Sequence, residues 1–279
     1  MGRLRGILAW QTTVKLAVCI WALGEATEVI LQDVAQLGFK WIDVQPHMLS
    51  GEAEREFCSA SGLRVSCIGG SFGLPNSVSL DAENGDARGT AIRYVERVIR
   101  HAALLDAESV YVIPPVVGSK DSLRRYSQSL EQLATFAHNK GISLCIEHFP
   151  GLALPTAEGT IDLIRSIGHP ALKLLFDIGH ALLSNEDPER IIEQAGRNLG
   201  YVHLDDNDGE DDLHLPLLQG KLTEDTLGRT FGALERISYD GVISLELSPA
   251  QPEVGVGLTQ SRDIVIRAAW ENLGKESQV

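Results

Sequence analysis

Eight short apolar runs, each followed by a longer amphipathic or loop stretch, constrain this chain more than any other feature of its sequence. The runs are Val14–Trp21, Trp41–Val44, Leu63–Ile68, Val110–Ile113, Ile142–Ile146, Leu172–Phe176, Tyr201–Leu204 and Val242–Leu247. Each is rich in Val, Ile, Leu or aromatic residues and bounded by turn residues, as strands of a parallel sheet buried on both faces should be. Between them apolar residues recur at helical spacing: Ala26, Val29, Ile30, Val34 and Leu37 before Gly38, then Ile92, Val95, Ile99 and Ala102. Leu123, Tyr126, Leu130, Leu133 and Ala137 repeat the pattern before Gly141, and a glycine is a good helix stop. Later helices are expected near Thr160–Ile167, Pro188–Ala195, Glu224–Ile237 and Leu258–Asn272.

Eight βα units in 279 residues, with no Pro/Ser-rich linker, predict one α/β domain over residues 1–279, a (β/α)8 TIM barrel. A doubly wound open sheet is the alternative, but no GxGxxG follows the first run. Residues 1–13 fit no barrel element and read as an N-terminal extension. Residues 274–279 carry little to bury and read as a disordered tail. The connection from Gly69 to Gly89 is long and glycine-rich, and reads either as a lid or as a surface excursion.

Composition narrows the partners. The net charge of −14 repels phosphate backbones, so nucleic acid is not an expected partner. No apolar run approaches a membrane span. The four cysteines, Cys19, Cys58, Cys67 and Cys145, lack CxxC or zinc-finger spacing, and a reduced, cytoplasmic chain is the simpler reading. Against this, Arg3, Arg5 and Lys15 before the apolar Leu16–Leu23 imitate a secretory signal; cleavage there would remove the first strand. A homo-oligomer is left open.

Barrel enzymes work at the carboxyl ends of their strands, so the polar residues standing there are the candidates. Strand five ends in Glu147-His148, strand six in Asp177, strand seven carries His203, and strand eight ends in Glu246. Facing inward, Glu147, Asp177, His203 and Glu246 surround one point with three carboxylates and an imidazole. Unneutralised, those carboxylates would repel at a cost of roughly several kcal/mol. One divalent cation removes that penalty, and oxygen-rich coordination with one imidazole suits Mn²⁺ first, then Mg²⁺, Co²⁺ or Zn²⁺. His47, His148, His180, His203 and His214 all fall at or just after strand ends.

The pieces Ile146-Glu147, Phe176-Asp177-Ile178-Gly179-His180, Val202-His203-Leu204-Asp205-Asp206 and Leu245-Glu246 resemble the sugar isomerase/epimerase superfamily of xylose-isomerase-like barrels, which also holds the apurinic endonucleases. The resemblance implies that Glu147, Asp177, His203 and Glu246 bind the metal. It also implies that two glutamates, here Glu147 and Glu246, act as acid and base, with His180 beside the substrate's oxygens. Asp212-Leu213-His214 resembles the Asp-x-His of the endonuclease branch, which binds an additional metal there together with the histidine matching His180. Two other histidines of that branch are replaced here by Gly69-Gly70 and Pro114-Pro115. Position 209 is glycine, where several ketose epimerases place a basic residue.

The leading expectation is therefore a metal-dependent isomerase or epimerase of a small polyhydroxylated ketone, whether sugar, cyclitol or keto-acid, working through an enediolate. His180, His214, Asp212 and His148 are the expected substrate-binding residues. A dehydratase or lyase through the same enolate is the nearest alternative, followed by abasic-site phosphodiester hydrolysis and by a non-enzymatic subunit. Within the leading reading, the alternative is that the two glutamates are ligands only, leaving the proton work to His180 or His148.

Overall fold

The computed structural model describes residues 15–276 of the chain. Eight strands, β1 (Lys15–Cys19), β2 (Trp41–Val44), β3 (Arg64–Gly69), β4 (Ser109–Val112), β5 (Ser143–Glu147), β6 (Leu172–Asp177), β7 (Leu199–Leu204) and β8 (Val242–Leu245), form a closed barrel. Every neighbouring pair is parallel, and β8 pairs with β1 to close the ring. The main helices are α1 (Glu28–Gln36), α2 (Glu52–Ala60), α3 (Gly85–Leu104), α4 (Lys120–His138), α5 (Ala157–Ile167), α6 (Ile178–Leu183), α7 (Pro188–Ala195), α8 (Glu224–Arg236) and α9 (Val254–Glu276). Their first turns are closed by polar side chains: Thr27, Asn84, Ser119, Thr156, Asp187 and Thr223 each accept from a backbone N–H one turn on, satisfying donors the helix itself leaves open. No helix among the described residues is long and apolar enough to cross a membrane.

Strand periodicity divides the barrel into two cores. Val18, Ile42, Ile68, Val110, Leu144, Ile146, Leu174, Phe176, Val202 and Leu245 face outward and pack beneath the helices. The residues between them face inward: Ala17, Cys67, Tyr111, Cys145, Leu175, Tyr201 and Val242 fill the barrel as one layer, with Trp41 at its edge. One step of two residues towards the carboxyl ends puts Cys19, Asp43, Glu147, Asp177, His203 and Ser244 in the next layer up. The fold thus reserves this layer for whichever residue stands two places after an inward-facing filler.

Boundaries differ from the sequence reading in ways that bear on the site. The first apolar run leaves the sheet at Cys19 and continues as a 3-10 turn, Ile20–Ala22, which carries Trp21 over the barrel mouth. The last helix reaches Glu276, so residues 274–276, read as tail, are helical; residues 277–279 lie outside the described residues, as does the extension 1–13. The long connection after β3 is pinned at Phe72 and at Leu80–Asp81. Arg125 Nε donates to Asp81 O (2.6 Å), Ser129 Oγ to Leu80 O (2.6 Å) and Ser122 Oγ to the Asp81 carboxylate (2.7 Å). Tyr94 also donates to Phe72 O. The segment is a fastened excursion that brings Phe72 to the mouth, its ring 5.3 Å from that of Trp21.

Candidate metal centre

Asp177 and His203 are direct neighbours in the β6–β7 register, and Glu246 continues β8, its N–H donating to Leu204 O (3.2 Å). Together with Glu147 they bring one ligand atom each within 4.8 Å of all the others. Asp177 and His203 are fully buried, Glu147 is 3% exposed and Glu246 8%. His203 Nδ1 is the hub: it lies 2.6 Å from Glu246 Oε2, 3.7 Å from Glu147 Oε1 and 3.9 Å from Asp177 Oδ2.

The hydrogen bonding of this cluster is incomplete in an informative way. Neither His203 Nδ1 nor Asp177 Oδ2 has a hydrogen-bond partner, although both atoms are buried. Glu246 Oε2 approaches Nδ1 closely but outside hydrogen-bond geometry, and the four ligand atoms lie within 4.8 Å of one another. Buried polar atoms without partners are rare and costly, and a divalent ion among them satisfies all four at once. The donor set fits a hard or borderline cation.

Asp177 does two jobs. Its Oδ1 caps α6 by accepting from His180 N (2.8 Å), leaving Oδ2 for the centre. This explains Asp177-Ile178-Gly179-His180 as a strand that turns into a helix on its last residue. Gly179 is required because a Cβ there would meet the buried Asp205 carboxylate, 2.9 Å from its carbon, and Asn207 Nδ2 at 3.1 Å.

A second cluster adjoins the first. Asp212 Oδ2 lies between His180 Nε2 (3.3 Å) and His214 Nε2 (3.4 Å), and His214 Nδ1 is 2.5 Å from Asp205 Oδ2. His180 Nδ1 is 2.9 Å from His148 O and 3.8 Å from Glu147 Oε1. The loop bearing Asp212 and His214 is held by Asp206, whose buried carboxylate accepts from Asn207 N (2.8 Å), Gly220 N (2.7 Å) and Leu222 N (2.9 Å). His214 has a left-handed backbone, φ 44°, a strained setting for a non-glycine residue. Its flanks are fixed by the Asp206–Leu215 bridge and by Ser248 N donating to His214 O (3.0 Å).

Charges in the two clusters are strongly coupled. Burial raises the Glu147 carboxyl above its ordinary range. Burial would raise Glu246 too, but the imidazoles of His203, His214 and His180 draw it down to about 2. Burial, then the neighbouring Asp177 charge, lifts Asp205 to about 7. Burial opposes charge on His180, yet Asp177, Asp212 and Glu147 together push it up to about 10.

One expected site residue does not face the mouth. His148 follows Glu147 on the same strand run, so alternation turns it away: it is fully buried, its ring stacks on the outward-facing Phe176 at 5.8 Å, and its Nε2 accepts from Asp177 N (3.3 Å). It braces the ligand strand, and substrate contact is corrected accordingly. The structure adds residues that sequence reading passed over. Trp21 Nε1 donates to Glu246 Oε1 (3.2 Å), Phe149 packs on His180 at 4.5 Å, and Asp43 lies beneath His203. The signal for Asp43 was a carboxylate in an otherwise apolar strand, Trp41-Ile42-Asp43-Val44. All four cysteines are buried free thiols.

Fold and site together define a (β/α)8 barrel with a three-carboxylate, one-imidazole centre at the carboxyl ends of four consecutive strands. Residues 31–264 match the family model described as a xylose isomerase-like TIM barrel. The chain belongs to that family. It is 26% identical to a D-psicose 3-epimerase of Agrobacterium fabrum over 259 residues, covering 87% of this chain and 84% of that one. It is 28% identical to a Methanocaldococcus jannaschii protein over 174 residues, so it spans only 58% of that relative and the match 58% of this chain. Among solved structures, a D-tagatose 3-epimerase-like protein superposes with a TM-score of 0.79 at 22% identity, over 94% of this chain and 100% of that chain.

Proposed function

We propose that this protein is a divalent-metal-dependent epimerase or isomerase of a small polyhydroxylated ketone, with Glu147, Asp177, His203 and Glu246 holding the metal. The observation that carries this reading is the convergence of two buried atoms without hydrogen-bond partners, His203 Nδ1 and Asp177 Oδ2, with two glutamates. Mn²⁺ is the preferred ion, as the donor set is mostly carboxylate. When bound, such an ion polarises a substrate carbonyl and stabilises the negative charge that develops as the adjacent carbon loses its proton.

The chain's own residues do the rest. Glu246 and Glu147 reach the centre from β8 and β5, so a ketone seated between them presents one face to each. Glu246 Oε2 is directed at the centre while Oε1, held by the Trp21 N–H, is the oxygen that takes a proton. Glu147, its carboxyl raised by burial, is the readier of the two to give one. A pair of carboxyls pushed apart in this way divides acid from base. Removal by one and return by the other inverts the carbon, an epimerisation through an enediolate. His180, Asp212 and His214 bind substrate hydroxyls, and Trp21, Phe72 and Phe149 wall the mouth.

The test is elemental analysis of the purified protein followed by a panel of ketoses and inososes, with solvent deuterium incorporation as readout. Glu147→Gln and Glu246→Gln keep a ligand oxygen and remove the base. Each is expected to retain metal and lose turnover by at least about 10²-fold, the scale of general acid–base catalysis. Near-normal turnover in either metal-loaded variant makes that glutamate a ligand alone. A dehydratase reading is favoured instead if inososes lose water with no epimer formed. The proximity of His180, Asp212 and His214, ligand atoms within 4.8 Å of one another, supports a second reading of that cluster as an additional cation site; two metals per chain, one lost in His214→Ala, would establish it.

A further inference from the structure

Asp43 is a fully buried carboxylate inside the barrel, and the proposed chemistry makes no use of it. Burying such a charge costs roughly several kcal/mol unless its oxygens are well paired. Its Oδ1 is paired: Tyr201 Oη donates at 2.5 Å and Ser66 Oγ at 2.7 Å. Its Oδ2 has a different outlook, with Cys19 Sγ at 3.6 Å and His203 Nε2 at 3.7 Å. The His203 ring is clamped edge-on by Tyr111 (5.5 Å, 85°) and Tyr201 (5.7 Å, 84°), so it presents Nδ1 to the carboxylates of the mouth and Nε2 to Asp43.

We infer that Asp43 is the positioning residue that keeps the His203 ring proton on Nε2, so that Nδ1 offers a lone pair to the metal; this rests on the proposed metal-binding role of His203. A neutral imidazole carries one proton, and the nitrogen that bears it cannot be a ligand. Asp43 Oδ2 accepts and cannot donate, which favours the proton on the nitrogen facing it. Tyr201 and Ser66 hold the carboxylate in this orientation by occupying its other oxygen. In Asp43→Asn the same two donors recruit the amide oxygen to the Oδ1 position, which places the amide NH₂ opposite Nε2. A donor there reverses the preference and moves the proton to Nδ1.

The experiment combines metal affinity with imidazole ¹⁵N–¹H spectra of histidine-labelled protein, each with and without Zn²⁺. In wild type the His203 proton is expected on Nε2 and downfield in both forms. Asp43→Asn is expected to bind Zn²⁺ and Mn²⁺ about 10–100-fold more weakly, the usual effect of removing a partner behind a ligating histidine, with the Nε2 proton shifted upfield or lost. Ser66→Ala, which disturbs the same network without facing His203, is expected to change affinity by less than about threefold. Affinity within twofold of wild type and an unchanged Nε2 proton in Asp43→Asn overturn the inference. A Zn²⁺-loaded wild type with no His203 proton on Nε2 overturns it without any variant, should Asp43→Asn fail to fold. Failure of wild type to bind any divalent ion counts against the metal-centre reading, and the proton position in the metal-free proteins then decides the role of Asp43 separately.

Discussion

Gly179→Ala pits local propensity against the packing of the site. Gly179 lies in α6, and its φ is not among the positive values, so helix propensity alone predicts a gain of about 0.5–1 kcal/mol for alanine. The surroundings predict the reverse. A Cβ there would stand 2.9 Å from the Asp205 carboxyl carbon, closer still to its oxygen, and 3.1 Å from Asn207 Nδ2. Ordinary contact begins at 3.4 Å, so the carboxyl carbon must retreat by about 0.5 Å and its oxygen by more. Asp205 is fully buried and faces His214 at 2.5 Å, which leaves it no solvent to retreat into. Overpacking of this kind costs about 1–3 kcal/mol, and at roughly 2–4 °C per kcal/mol for a chain of this size the melting temperature should drop by roughly 2–12 °C. Thermal unfolding followed by circular dichroism is the assay. Gly255→Ala in α9, where nothing lies within 4 Å, is the matched control, expected to be neutral or to stabilise by up to about 1 kcal/mol. In an Asp205→Ala background the cost of Gly179→Ala should shrink to what the Asn207 contact alone imposes. A Gly179→Ala protein melting at or above wild type would refute the steric account.

Asp177→Ala and His203→Ala should each reduce bound Mn²⁺ below half an equivalent per chain while the far-ultraviolet circular dichroism stays that of wild type, because both side chains serve the mouth more than the packing; stoichiometric metal at unchanged affinity would contradict this. The metal-free protein should lose stability in alkali. His180 is raised from its ordinary 6.5 to about 10, so its contribution is complete below pH 6.5 and disappears as the pH rises through 10. Glu246, lowered to about 2, works the other way: its contribution is present at neutral pH and is lost as the pH falls through 2. Melting temperatures in a chelator from pH 6 to 10 should fall, and a flat profile would remove His180 from this account.

The barrel, and the convergence of the four candidate ligands at its mouth, were legible because both depend on period-two alternation in buried strands, which single-residue patterns report directly. Glu147, Asp177 and Glu246 close their strand runs and His203 stands beside Asp177 in register, so placing them at one end placed them together. The same rule, applied strictly, would have turned His148 away from the mouth, since adjacent strand residues cannot share a face. Trp21 was hidden by a boundary: read as the end of a strand, it belongs to a turn that bends across the opening. The grip of Asp206 on Gly220 and Leu222 spans a loop with no periodicity, and nothing local in the sequence distinguishes that carboxylate from its neighbours Asp205 and Asp208.

The distribution of the site along the chain bears on how such a protein diversifies. All four candidate ligands lie between residues 147 and 246, while Trp21 and Phe72 of the wall come from the opening third. Part of the wall is thus inherited apart from the candidate ligands, while Phe149, His180, Asp212 and His214 travel with them. A crossover in the segment joining β4 to β5 would graft Trp21 and Phe72 of one ancestor onto another's ligand cluster without moving a candidate ligand. The exception is Asp43, which reaches from the first stretch to the histidine of the second. Grafts that keep an acid at that strand position should be tolerated, and those that lose it should arrive with the right walls around an imidazole that no longer offers its lone pair.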